Sequence, residues 1–254
     1  MFKTKKEMED FFKENKLSRL FHENSKFTYW PRGKKMPYEV VEKIHYKEYP
    51  RFKRIPLPIK FSKKTSLERI LEKRRSIRNF NKKKLSLSDI SKFLFYSFGI
   101  TKVITKGNWD SARRTYPSAG GRYPLEVYPI VFHSKDIESG VYHYEVKSHS
   151  LELLKEGNFM LQILENIHGQ RWVENCSMII LISAVFDRTQ AKYEERGYRF
   201  ILMETGEVLQ NVSLMSTALG LGSCAIGGFI DNNLNKFLEL DEKEESVINF
   251  IVVG

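Results

Sequence analysis

Cysteine is nearly missing from this chain. Two in 254 residues, Cys176 and Cys224, exclude a disulfide framework, so a reducing cytoplasm is the expected compartment. Long hydrophobic runs are missing too. The longest, Met178 to Phe186, is about half of the ~20 residues that a membrane-spanning helix needs. The opening "MFKTKKEMEDFF" mixes charges of both signs and has no apolar stretch of the signal-peptide kind. A soluble protein with no secretory signal and no membrane association is therefore expected. The histidines His22, His45, His133, His143, His149 and His168 show no metal-ligand spacing, so no metal site is expected. Neither an internal repeat nor a low-complexity tract is visible. The glycine run Gly220-Leu221-Gly222 is not a dinucleotide fingerprint, because no strand precedes it.

What the chain has in excess is positive charge, and it is unevenly placed. Residues 1–84 carry 26 Lys/Arg against 10 Asp/Glu, a balance of +16, while the remainder carries 16 against 21, a balance of −5. A basic half fits an anionic partner, such as nucleic acid, an acidic peptide or a phosphorylated cofactor; it fits a solvated lysine-rich surface equally well. No RNA- or DNA-binding module accompanies it, which argues against nucleic acid.

The pattern predicts an α+β domain. A Thr4/Glu7 capping pair introduces a short amphipathic helix. From Tyr29 to Pro58 five prolines interrupt any period, which suggests a basic extension over residues 1–60 and a main domain over 61–254. Thr65/Glu68 and Ser86/Asp89 are capping boxes opening two further helices. Strands are expected at Val127–Phe132, as a hairpin within 141–154, at Met178–Phe186 and at Val247–Val253. "NFMLQILENI" reads as a short helix. Arg199 to Leu219 is apolar nearly all round, with a polar stripe at Glu204, Glu207 and Asn211, as expected of a central helix packed on most faces. Strands and helices without strict βαβ alternation place the chain in the α+β class.

Three stretches carry chemistry. In "EKRRSIRNF", Arg74, Arg75 and Arg78 surround Ser76 near a helix end. Guanidinium forks and a hydroxyl suit a phosphate, although cations at a helix C-terminus also simply complement its dipole. In "RRTYPSAGGRYPLEVY", four small residues, Ser118 to Gly121, sit between two Tyr-Pro steps. The glycines let backbone approach a flat ligand, and Tyr116 and Tyr123 have rings that could stack on one. In "LGLGSCAIGGF", Gly227-Gly228 exposes backbone amides, and Cys224 reads as small packing.

Together with "KYEERGYRFILMETGEVLQN", these blocks resemble the nitroreductase-like flavoproteins, and more narrowly the SagB-type azoline dehydrogenases, from about residue 65 onward. The resemblance implies a homodimeric FMN-binding fold with a central mixed or antiparallel sheet flanked by helices. It implies oxidation of thiazoline or oxazoline rings to azoles in a ribosomally made precursor peptide, in partnership with a cyclodehydratase. Carried over, Arg74, Ser76 and Arg78 would hold the FMN phosphate and ribityl chain, with Arg75 contributing mainly backbone. Ser118, Ala119 and Gly120 would border the isoalloxazine from the partner subunit, and Gly227 and Gly228 would lie near its N5. Lys192 and Tyr193 match the catalytic Lys-Tyr pair; read without the resemblance, "KYEERGY" is a solvated helix start. Small-molecule nitroreductases often carry a glutamate where this chain has Gly227, which favours the azoline branch. Many relatives also continue past the last strand into a tail with further phosphate ligands, so phosphate binding is expected to rest on the Arg74–Arg78 cluster together with residues that the sequence does not identify. The competing enzymatic reading is an NAD(P)H-fed nitro- or ene-reductase.

Overall fold

The computed structural model describes residues 4, 17–26, 46–61, 65–106, 109–167 and 169–254. The first helix expected, around residues 4–16, lies largely outside them. In chain order the elements are α1 (Leu17–Asn24), β1 (Lys53–Pro56), α2 (Leu67–Lys73), α3 (Leu87–Phe98), β2 (Ile100–Lys106) and β3 (Trp109–Arg114). A single 3-10 turn at Ala119–Gly121 leads into β4 (Leu125–Val131), β5 (Gly140–Glu145), β6 (Ser150–Glu156) and α4 (Met160–Glu165). After a second such turn come β7 (Met178–Val185), α5 (Asp187–Tyr193), α6 (Glu195–Ala218), β8 (Ser223–Ile226), α7 (Asp231–Leu238) and β9 (Glu245–Val253).

Seven strands form one sheet in the order β1-β6-β5-β4-β7-β9-β8, with every neighbouring pair antiparallel. The uninterrupted apolar run of β7 follows from its central place. Successive side chains on a strand point to opposite faces, and helices cover both. Met178, Ile180 and Ile182 join α3 (Ile90, Phe93, Leu94, Phe98) and α6 (Ile201, Val208, Val212) on one face. Ile179 and Leu181 join Ile163 of α4 and Leu234 and Leu238 of α7 on the other. A strand buried on one face alone would alternate with polar residues, and β7 cannot.

The α3 capping box forms as expected: Ser86 Oγ accepts from the Asp89 amide at 3.1 Å, and Asp89 Oδ2 accepts from the Ser86 amide. The Thr65/Glu68 box does not. Helix α2 is capped by Ser66 without a side-chain bond, so the third helical residue is Arg69, which has no acceptor to return. Strands β1 and β8 and the β2–β3 hairpin, which stands outside the main sheet, have no counterpart in the expected pattern. Nor do residues 46–60 stand apart as an extension. β1 pairs with β6, Leu57 is in the core, and the Lys47 ammonium meets the Glu245 carboxylate at 2.5 Å.

Helix α5 breaks at Glu194 (φ 50°, ψ −140°) and α6 starts at once in a new direction. Gly197 makes the crossing possible, since a Cβ there would lie 2.9 Å from the Gln190 Cα. Gly197→Ala is expected to cost about 1–3 kcal/mol through overpacking. A urea melt with unchanged m-value and a lower midpoint is the expected result.

Candidate active site

The loop between β3 and β4 answers why so many glycines and tyrosines gather there. Tyr116 and Tyr123 are not free to stack on a ligand. Both are buried, edge to face with centroids 5.7 Å apart. Arg114 fixes them: its Nη1 donates to the Tyr116 hydroxyl at 3.1 Å, its amide donates to the Tyr123 hydroxyl, and its guanidinium lies 4.6 Å from the Tyr123 ring centre. The tyrosines anchor both ends of the loop in the core, and the small residues between them stay at its outer edge. Gly120 (φ +62°) and Gly121 (φ +65°) both take left-handed backbone that only glycine adopts without strain.

Gly120 faces the pair of residues singled out as catalytic. A Cβ on Gly120 would sit 2.6 Å from the Tyr193 hydroxyl and 2.8 Å from Lys192 Nζ. The left-handed backbone requires glycine there, and a side chain would in addition push aside the tips of Tyr193 and Lys192. Lys192 and Tyr193 occupy the last turn of α5, partly exposed, with the ammonium 5.3 Å from the Tyr193 ring centre. Phe200 of α6 packs edge-on against that ring at 5.0 Å.

Helix α5 is tied to the sheet by a buried ionic chain. Arg188 Nη1 meets Glu126 at 2.6 Å and also donates to the Tyr123 carbonyl, while Arg122 Nε donates to the Arg188 carbonyl at 2.7 Å. Glu126 continues to His143 at 2.9 Å, His143 to Glu152, and Glu152 to Arg54 at 2.6 Å. Burial works against the Glu126 charge, but Arg188 and His143 outweigh it and hold its pKa down at about 2. Burial also opposes charge on His143, and its bonds to the two glutamates prevail, raising its pKa. His143 is structural, as its place in a strand suggested. Removing one partner of a buried pair leaves the other uncompensated, so Arg188→Met is expected to destabilise the fold by about 3–5 kcal/mol, measured by urea unfolding.

A second group gathers at the β8 edge. The Ile77 amide donates to the Ser223 carbonyl at 2.9 Å, and Ser76 bridges Ser223 in parallel, so the arginine segment runs beside β8. The same strand leads into Gly227-Gly228, where an added Cβ would meet nothing within 4 Å. Arg74 and Arg78 form no ion pair among the described residues, and Arg78 lies over the Trp172 ring. Arg75 is engaged differently: its Nη1 donates to the carbonyls of Glu72 and Arg74, closing the end of α2. No hydrogen bond, ion pair or ring contact among the described residues joins this group to Ser118–Gly120 and Lys192-Tyr193.

Sequence reading placed Glu204 in a polar stripe and gave it no role. The structure buries it at 3% exposure, with Oε2 accepting from the Ser118 hydroxyl at 2.6 Å. Ser118 Oγ in turn accepts from the Tyr123 amide at 2.8 Å. Burial raises the Glu204 pKa to about 8; Ser118 and Arg114 pull against this, and Glu207 adds to it. A cavity of about 260 Å³ opens here, lined by Pro117, Ser118, Ala119, Phe200, Met203, Glu204 and Glu207. Only the long-range contact between the loop and α6 distinguishes this glutamate, and no local spacing signals it.

Residues 71–254 match the nitroreductase family. The chain belongs to it. A protein of Anabaena variabilis, named as a nitroreductase, superposes with a TM-score of 0.76 at 26% identity, covering 93% of this chain and 46% of that one. A protein of Methanocaldococcus jannaschii, named as a nitroreductase, is 35% identical over 69% of this chain and 85% of its own length. The microcin B17-processing protein McbC of Escherichia coli is 31% identical over 64% of this chain and 60% of its own. The Escherichia coli microcin synthetase McbBCD complex with truncated pro-MccB17 bound contains a chain that matches 94% of this one, and 91% of that chain, with a TM-score of 0.60 at 26% identity. Membership of the family makes the protein a flavin-type oxidoreductase, and the expected α+β architecture is the nitroreductase fold, its sheet wholly antiparallel. Among the described residues no helix is long and apolar enough to cross a membrane, and no cluster suits a metal ion.

Proposed function

We propose that the protein is an FMN-dependent dehydrogenase that oxidises thiazoline or oxazoline rings to azoles in a ribosomally made peptide. The observation that carries this reading is the packing of Lys192 Nζ and the Tyr193 hydroxyl against Gly120. Two groups able to move a proton thereby stand beside a backbone turn that a flat ligand can approach. The similarity to McbC, a peptide-processing protein, supports the substrate class. So does the side-chain-free turn at Gly227-Gly228, which leaves room for a bulky heterocycle.

The residues present fit FMN. Arg74 and Arg78, unengaged by any carboxylate among the described residues, and the Ser76 hydroxyl suit one terminal phosphate. Ser118, Ala119 and Gly120 would border the ring system, and Gly227 and Gly228 would admit its reacting edge without a side chain between. Arg75, turned onto the end of α2, contributes backbone alone. Bound FMN supplies the two-electron acceptor for the hydride that an azoline loses on becoming aromatic. The chain's part is to orient the ring and take the accompanying proton, which falls to Tyr193 or Lys192.

Among the described residues no contact joins the two groups, which supports a homodimer whose sites take Arg74–Arg78 from one subunit and Ser118–Gly120 from the other. Leu202 and Met203 of α6 and Leu67 and Leu71 of α2 are exposed apolar side chains suited to that interface. They also account for the half-covered state of a helix expected to be packed on most faces. Light scattering should give a dimer, and an FMN-loaded monomer at micromolar concentration would refute the shared site. Precursor peptide and a cyclodehydratase are the proposed partners, and the cytoplasm the proposed location.

Purified protein should be yellow and release FMN on denaturation, and the paired change Arg74→Ala, Arg78→Ala should bleach it. Tyr193→Phe and Lys192→Ala should keep the flavin and lower turnover of an azoline peptide by about 10²–10⁴ if that residue is the base. Full turnover in both variants would remove the catalytic assignment. The second reading, an NAD(P)H-dependent nitro- or ene-reductase, draws on the relative named as a nitroreductase. It would prevail if wild type ignored azolines and consumed NADPH with a nitroarene.

A further inference from the structure

We infer that His149 is the pin of an acid-opened clasp: as a neutral ring it holds the chain leaving β1 against α3 and the sheet, and on taking a proton it lets that segment go. The inference is independent of the azoline reading and uses a histidine outside the candidate site.

His149 sits in the turn between β5 and β6, buried and in left-handed backbone (φ 51°). Three parts of the fold meet on it. Its Nε2 lies 2.9 Å from Ser91 Oγ of α3, and its Nδ1 lies 2.7 Å from the Tyr144 hydroxyl of β5. Its carbonyl accepts from the Leu57 amide at 3.1 Å, and Ser91 Oγ donates to the Pro58 carbonyl. Leu57 and Pro58, which follow β1, are thereby tied down on both sides of one imidazole. Phe95 of α3 packs edge-on against the ring, at 5.4 Å between centroids.

The hydrogen-bond roles set the tautomer. A serine hydroxyl has one proton, and that of Ser91 goes to the Pro58 carbonyl, which can only accept. Ser91 Oγ therefore accepts from His149, and Nε2 carries the hydrogen. In the neutral ring Nδ1 is then the bare nitrogen, and Tyr144 donates to it. A proton on Nδ1 reverses that bond. The Tyr144 hydroxyl must then accept, and its own hydrogen is left without a partner in the core, a costly state.

Nothing around the ring compensates a positive charge. Among the described residues it bonds Ser91 and Tyr144 and no carboxylate. Behind Tyr144 stand Arg114 of β3 and Glu145, of opposite sign, with Tyr116 kept un-ionised by burial. Burial is the larger influence on His149 and lowers its pKa; the Pro58 carbonyl pulls the other way and is outweighed. His143 on the same hairpin is the contrast: each of its ring nitrogens meets a glutamate, and its pKa is raised. A lowered value means that neutral His149 contributes its stability in full above pH ~6.5. That contribution is lost as pH falls to the ring's own midpoint in the fold. Opening the clasp leaves β1 with its pairing to β6 alone, and release of β1 withdraws Arg54 from Glu152, at the far end of the buried chain that steadies α5.

The test uses the full chain as purified. Nitrogen NMR of the histidine rings should place the His149 hydrogen on Nε2 at neutral pH and its protonation midpoint below 6.5. The signal is assigned with His149→Gln or, should that variant not fold, by the shift that Ser91→Ala produces. Hydrogen exchange over residues 53–57, corrected for its intrinsic rate, should accelerate as pH falls from ~6.5 to that midpoint, by up to about tenfold per pH unit. Below the midpoint it should level off, and β7 should stay protected throughout. His149→Gln, which keeps a donor for Ser91 and does not titrate, should flatten this dependence. Ser91→Ala should speed exchange at Leu57 about tenfold already at neutral pH, the worth of one hydrogen bond. A hydrogen on Nδ1, a midpoint at or above 6.5, exchange over 53–57 indifferent to the His149 titration, or β7 opening together with it would each overturn the inference.

Discussion

Arg188 connects the sheet to the helix that presents Lys192 and Tyr193. Its guanidinium reaches Glu126 on β4 and the Tyr123 carbonyl, and its own carbonyl accepts from Arg122. One side chain thus joins the end of the glycine loop, the middle of the sheet and the start of α5. Glu126 is held in turn by His143, and His143 by Glu152. Buried charges of this kind add little net stability compared with apolar packing, but they tolerate few alternative geometries. The distance between Gly120 and the Lys-Tyr pair depends on that rigidity.

Much of the fold was legible in local pattern. β4, β7 and β9 appear as apolar runs because helices cover both faces, and the Ser86/Asp89 box marks the start of α3 because its two bonds are local. The parts that escaped depend on distant partners. β1 is four residues long and contains Pro56, so it becomes a strand only by pairing with β6. β8 is likewise defined by β9. In the candidate site, Gly120 and Lys192-Tyr193 were marked by their blocks, but their contact spans more than 70 positions and no spacing rule reaches it. Tyr116 and Tyr123 misled because an exposed stacking platform and a buried anchor have the same composition. Glu204 was hidden for the reverse reason, since a lone glutamate in a helix ordinarily faces water.

The excess positive charge of the first third is partly absorbed inside the molecule. Arg54 neutralises Glu152 on the sheet, and Lys47 neutralises Glu245 beside Tyr128 and Ser183. Part of a charge asymmetry along a sequence can therefore describe how its two parts fit together.

The parallel bridge between Ser76 and Ser223 bears on how a peptide can dock. An open sheet edge is a ready template for another extended chain, which adds as an extra strand and is read mainly through its backbone. At the β8 edge the chain's own segment already takes up the Ser223 carbonyl. At the opposite edge β1 is short, ends in Pro56 and carries Lys53 and Arg54. Strand addition is poorly served at either margin. A peptide docking on this protein would therefore be held by side chains in a cavity more readily than by its backbone at a sheet edge.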